Sequence, residues 1–149
     1  MEKKAVWLAV VFGLGAYGYG LIEVLWRGFT HWSMCLTGGA CLAAFFLLEP
    51  RLRHTSLFLR SLLGSGLITA FELMVGVVVN LKLHWQVWDY SGHLFHLWGQ
   101  ICPLFSGCWF LLSAPAFWVC GAIRRKNGTS AAPALRPQTS PGRDSGRTP

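Results

Sequence analysis

Charged side chains are missing from three long stretches of this 149-residue chain. Ala5 to Ile22, Phe29 to Leu48 and Ser91 to Ile123 contain no Asp, Glu, Lys or Arg. A fourth stretch, Leu57 to Leu81, is interrupted only by Arg60 and Glu72. A helix rises about 1.5 Å per residue, so about 20 apolar residues cross the hydrocarbon core of a bilayer. The four runs meet that length, and a soluble fold has no use for all of them. Soluble domains carry roughly 25% charged residues, whereas this chain has 13% charged and 53% hydrophobic. The sequence therefore predicts an all-α membrane protein with four transmembrane helices, at about 5–26, 33–49, 57–81 and 96–122. Lys3 and Lys4 ahead of the first run resemble the start of a signal peptide. The run is too long for one, and Glu23 to Arg27 stand where a small-residue cleavage site would fall, so the segment is expected to remain as the first span.

Orientation follows from the basic residues. With the amino terminus inside, the cytoplasm receives Lys3, Lys4, Arg51, Arg53, Arg60, Arg124, Arg125 and Lys126, and the outside keeps Arg27 and Lys82. Both termini are expected in the cytoplasm, and the protein in the cell (plasma or inner) membrane. The net charge of +7 does not indicate nucleic acid, because from Arg124 onward six basic residues face only Asp144. That tail, 124–149, is rich in Pro, Ser, Gly and Thr and is expected to be disordered. Its first three residues suit the anionic face of a bilayer. The spanning domain is thus 1–123.

Five cysteines (Cys35, Cys41, Cys102, Cys108, Cys120) fall inside the expected spans without a CxxC pair. Packing of small polarizable side chains accounts for them. With no HExxH either, no metal or cofactor is implied.

Polar residues break the apolar logic in three places. Glu72 lies within the third span, where insertion of an acid costs about 2.5–3.5 kcal/mol. An intramembrane acid faces the bundle interior or a wet cavity and marks a functional candidate. Ser65, Thr69, Glu72, Gly76 and Asn80 recur at helical spacing and share one stripe. Gly13, Ala16, Gly20, Glu23 and Arg27 do the same on the first helix, where small residues permit close helix contact. Glu23 and Arg27, four apart, can pair. Ser65 and Thr69 are expected to bond their own backbone.

The third place is "VWDYSGHLFHLWGQIC", residues 87–102. By topology it emerges on the same face as the 27–32 loop. That brings Glu23, Arg27 and His31 toward Asn80, Asp89, Tyr90, Ser91, His93, His96 and Gln100, with Glu72 beneath. The expectation is an outward polar pocket whose floor is a carboxylate. Trp85, Trp88, Tyr90 and Trp98 also suit the interfacial aromatic belt. A half-extended "WDYSG" re-entering toward the fourth helix, with Asp89 or Ser91 capping, and kinks at Pro103 and Pro115 complete the local expectation.

Three signatures, "GYGLIEVLWRGFTHWSM" (18–34) with "GG" at 38–39, "FELMVGVVVN" (71–80), and "VWDYS" followed by "GQIC" (87–91, 99–102), resemble the bacterial membrane family called ABC-transporter type IV. The resemblance covers about residues 10 to 112. It implies a multipass membrane protein that serves as a transport component. Its polar positions carry over as Glu23, Arg27, Gly28, His31, Glu72, Gly76, Asn80, Asp89, Tyr90, Ser91, Gly99 and Gln100. The family pattern has Asn where His96 stands and often Pro where Leu94 stands, which leaves a role for position 96 open.

Three functions fit. The first is a permease-like transport subunit binding substrate or a cation through Glu23, Arg27, His31, Glu72, Asn80, Asp89, Tyr90, Ser91 and Gln100. The chain has no GxxxxGK[ST] phosphate loop, so an ATPase would be a separate subunit. Four spans are few for a pathway, which suggests a homodimer or heteromer through the Gly13/Gly20 and Gly38/Gly39 faces. The second is an intramembrane enzyme in which Glu72 and Asp89, with His31 or His96 carrying protons, act on a lipid-linked substrate. The third is a non-catalytic assembly or sensing partner.

Overall fold

The computed structural model describes residues 2–127; the tail beyond Asn127 lies outside the described residues. Four helices make up the fold: α1 (Glu2–Arg27), α2 (Trp32–Leu52), α3 (Leu57–Gly76) and α4 (Pro103–Lys126). α3 runs on through a wider, π-helical turn, Val77–Lys82. All four are long and apolar enough to cross a membrane, and their outward faces carry large apolar side chains such as Tyr17, Leu25, Leu111 and Trp118. In water that exposure would be a liability; in lipid it is the solvent-facing surface.

Local chemistry sets the ends. Gly28 closes α1 with φ +80 and donates its amide to the Val24 carbonyl at 2.8 Å. His31 opens α2, its Nδ1 accepting from the Ser33 amide at 3.3 Å. Ser56 opens α3, its hydroxyl accepting from the Leu59 amide at 3.3 Å.

The fourth span begins seven residues later than the expected 96. Pro103 is the first residue of α4, where its missing N–H costs nothing, and Cys102 before it is extended (φ −149, ψ 155). The kink expected at Pro103 is therefore absent, and the connection from α3 is longer than expected, running from 83 to 102.

α1 lies along α2 and α3 lies along α4, with α2 touching both α3 and α4. The α1–α2 seam is close because Cβ atoms are missing. A methyl on Gly38 would meet the Tyr19 Cβ at 2.4 Å, and one on Gly15 would meet the Gly38 carbonyl at 2.6 Å. The packed row of α1 is thus Phe12, Gly15 and Tyr19. Gly13, expected in the contact row, has open space around it, one residue and about 100° away from that row. Gly38 and Gly39, expected as surfaces for another subunit, are spent on this internal seam.

Two cores result. Val11, Phe45, Phe46, Phe117 and Cys120 fill one end, with Phe45 and Phe117 stacked at 4.4 Å between ring centroids. Met34, Val79, Val87 and Trp88 fill the other, the last two supplied by the 83–102 connection itself. Arg124 braces the first core. Its Nε lies 3.3 Å from the Glu49 carboxylate and donates to the Phe46 carbonyl, and its guanidinium sits 4.0 Å over the Phe46 ring.

Candidate functional site: a cleft over a buried carboxylate

The polar stripe of α3 is buried as its spacing predicts, and it faces α4 and the long connection. Ser65 and Thr69 do not bond their own backbone. Ser65 Oγ donates to the Ser106 carbonyl at 2.6 Å, and Thr69 Oγ1 lies 3.0 Å from Ser106 Oγ, so both tie α3 to α4. Glu72 follows, only 2% exposed. Tyr90 Oη donates to its Oε1 at 2.7 Å and Trp109 Nε1 donates to its Oε2 at 2.9 Å. Each oxygen therefore has one neutral donor. The ion pairs among the described residues are Glu23–Arg27 and Glu49–Arg124, and Glu72 takes part in neither.

Tyr90 reaches so deep because the connection folds back into the bundle. About 15 Å of helix separates Glu72 from Lys82, and the chain returns toward Glu72 through Val87 and Trp88, both buried. Asn80 holds the run in place. Its Oδ1 accepts from the Val87 amide at 2.7 Å, and its Nδ2 donates to the Trp88 carbonyl at 3.0 Å and to Gln100 Oε1 at 2.8 Å. Trp88 Nε1 donates to the Gln100 carbonyl at 3.0 Å, and Gln100 Nε2 donates to the Trp98 carbonyl at 2.9 Å. Backbone carbonyls and amides drawn inside a bundle need such partners. The π-helical turn puts Asn80 where it can supply them; its wider hydrogen bonding appears in Leu83 N–H to the Val78 carbonyl at 3.0 Å. Gly76 leaves the room, since a methyl there would fall 2.5 Å from Gln100 Oε1 and 3.0 Å from the Trp88 ring. Asn80 and Gln100 are thus a clamp rather than a pocket lining.

Asp89 and Ser91 bond to each other, not to a helix end. The Asp89 carboxylate accepts from the Ser91 amide at 2.8 Å and the Ser91 hydroxyl at 2.7 Å. These bonds hold its carboxyl below the usual carboxylate range, so it is ionised at neutral pH. Gly99, at φ +68, passes close by; a methyl on it would meet Asp89 Oδ1 at 2.6 Å. Burial, then the Glu72 charge, pushes the Tyr90 phenol above its ordinary range and keeps it a donor. The connection also holds four non-glycine residues in the left-handed region: His84, Gln86, Phe95 and Trp98, at φ 55, 50, 60 and 52.

On α1, Arg27 pairs with Glu23 at 2.8 Å and donates to the Val87 carbonyl, while Thr30 donates to the other Glu23 oxygen. This joins the 27–32 loop directly to the 83–102 connection. His31 is drawn to its helix-capping role and lies beside Trp85, its ring tilted 55° to the indole with centroids 5.4 Å apart. His96 Nδ1 accepts from the Gly99 amide at 3.1 Å. His93 packs by Tyr90 and Phe105.

Two adjoining cavities open between α1 and α4, a pair that lacks the close packing of α1 on α2 and of α3 on α4. The lower, about 320 Å³, has Glu72 on its wall among apolar side chains from all four helices, with Leu14, Phe45, Ile68 and Pro115 among them. The upper, about 650 Å³, is rimmed by Glu23, Arg27, Asp89, Tyr90 and His93. Tyr19, Ile22, Met34, Trp109 and Leu112 line both. Of the residues singled out in the sequence, Glu23, Arg27, Glu72, Asp89, Tyr90 and His93 therefore meet at the cleft. His31, Asn80, Ser91 and Gln100 shape its surroundings. Tyr19, Phe105 and Trp109 line it and were not anticipated; aromatic residues inside apolar runs carry no local sign of the acid they will face.

Fold and cleft together define an integral membrane protein, a four-helix bundle with a buried polar network of Glu72, Asn80 and Gln100 under the 83–102 connection. The chain belongs to the family described as "Putative ABC-transporter type IV", whose model matches residues 10–132. Comparison with curated proteins and with solved structures returns no match.

Proposed function

We propose that this chain is a permease-like component of a transport system. Its outward-facing pocket, entered past Glu23, Arg27 and Asp89, has Glu72 as the working group. One observation carries the reading: a carboxylate that takes part in no ion pair among the described residues lines a cavity inside a helix built for lipid. A helix that needed only a contact between neighbours could use an amide or hydroxyl at much lower insertion cost. The family description supports the transport class. With no phosphate loop in the chain, the ATPase is a separate subunit, and a partner or a second copy closes the cleft left open between α1 and α4. The enzyme reading has less support, because the side chains bonded to Glu72 are Tyr90 and Trp109 rather than a histidine. The assembly reading draws on the Asn80–Gln100 clamp, whose polar groups satisfy one another.

The test is Glu72→Gln, which keeps the shape and removes the charge. Normal insertion and normal thermal stability in detergent, together with lost growth complementation of a strain lacking the protein, are expected. Full complementation at normal expression would end the case for a working acid. Purification in mild detergent is expected to bring an ATPase subunit along.

A further inference from the structure

The chemistry of the cleft narrows what it can hold. The argument rests on the reading that the cavity over Glu72 is a working site. Glu23 and Arg27 cancel one another at the rim, whereas Glu72 and Asp89 have no ion-pair partner among the described residues. The cleft therefore favours positive charge. A small inorganic cation would need several oxygen ligands to replace its water. Among the described residues no three His, Cys, Asp or Glu side chains gather to hold one. Aromatic faces are supplied instead. Tyr90 and Phe105 stack at 4.4 Å, Phe105 lies 6.5 Å from Trp109, and Trp109 lies 5.9 Å from Tyr19. Such a wall attracts a cation that carries little hydration shell, through the negative face of each ring. The lower cavity adds apolar volume directly beneath. Together the two cavities fall in the roughly 300–1,000 Å³ range of small-molecule sites.

We propose that the cleft binds a lipophilic organic cation, its positive centre held between Glu72 and the Tyr19–Trp109–Phe105–Tyr90 wall and its apolar groups in the lower cavity. The gap between α1 and α4 admits it sideways from the bilayer, where such a molecule concentrates.

The test uses the full chain in a neutral detergent and equilibrium dialysis with radiolabelled tetraphenylphosphonium, beside tetraphenylborate, an anion of the same shape. Saturable binding of the cation over the anion is expected, weakened about tenfold or more in Glu72→Gln. Gly18 lines the lower cavity and a Cβ there would meet nothing within 4 Å, so Gly18→Phe is expected to occupy the site and abolish binding. Gly13→Phe makes the same change on the same helix outside the lining and is expected to leave binding unchanged. Equal binding of both ions, or cation binding indifferent to Glu72→Gln and Gly18→Phe, overturns the proposal. If neither ion binds and Glu72→Gln still loses complementation, the cationic ligand is wrong and the working pocket stands. If cation binding depends on Glu72 while complementation survives its loss, the ligand class stands and the transport role falls.

Discussion

Asn80 shows how much one buried amide can organise. It satisfies a backbone amide, a backbone carbonyl and the Gln100 side chain, all in the segment that carries Tyr90 down to Glu72. Asn80→Ala leaves those groups without partners in a place water does not readily reach. Each buried group left unpaired costs about 1–3 kcal/mol. The expected outcome is a clearly lower thermal midpoint in detergent, with increased proteolysis within 83–102. Tyr90→Phe removes one donor from Glu72 but keeps the ring stacked on Phe105, and is expected to change thermal stability less than Asn80→Ala does. A thermal scan of the two variants in detergent beside the parent checks the order; an Asn80→Ala protein as stable as the parent would show that the clamp is dispensable.

Between helices, the decisive feature is missing bulk. In lipid there is no hydrophobic drive to bring helices together, so close packing has to supply the contact. Gly15 and Gly38 let the α1 and α2 backbones approach until a single methyl would overlap its neighbour. Gly38→Ala is expected to push α1 away from α2 and to destabilise by about 1–3 kcal/mol, the cost of overpacking. Gly13→Ala meets open space and is expected to be neutral or mildly stabilising, since Ala is the better helix former. Comparing the two thermal midpoints separates the effect of contact from that of helix propensity. The α3–α4 pair is joined differently, by the Ser65, Thr69 and Ser106 bonds and by Trp109 on Glu72, so this seam is polar where the first is bare.

For the molecule as a whole, the hairpin at 27–32 and the connection at 83–102 share one end, joined by Arg27 on the Val87 carbonyl. The basic residues Arg51, Arg53, Arg60, Arg124, Arg125 and Lys126 belong to the opposite ends of α2, α3 and α4. By the positive-inside tendency, a reporter fused after Arg53 is expected to be active in the cytoplasm and one fused after Gly92 outside it. The reverse pattern would turn the cleft toward the cytoplasm and undo its outward reading.

Four spans were legible in the sequence because lipid imposes a length and a lack of charge on every residue of a run, a signal that is local and additive. The buried stripe from Ser65 to Asn80 was legible for a related reason, since helical spacing alone puts those residues on one face. Residues 96–102 misled, because their apolar character resembles the start of a span. What keeps them out of the helix is Pro103 next door, together with the bonds of the Gly99 carbonyl to the Tyr90 amide and of Gln100 to Asn80 and Trp88, and those last contacts are non-local. The sequence could set Glu72, Asp89 and Tyr90 on the same side, but not decide that Tyr90 bonds Glu72 while Asp89 stays at the rim. It could not show that Asn80 and Gln100 brace a loop, or that Trp109 supplies the second donor. Those outcomes depend on how deeply the 83–102 segment folds back and how far α1 stands from α4, and only packing among all four helices fixes such distances.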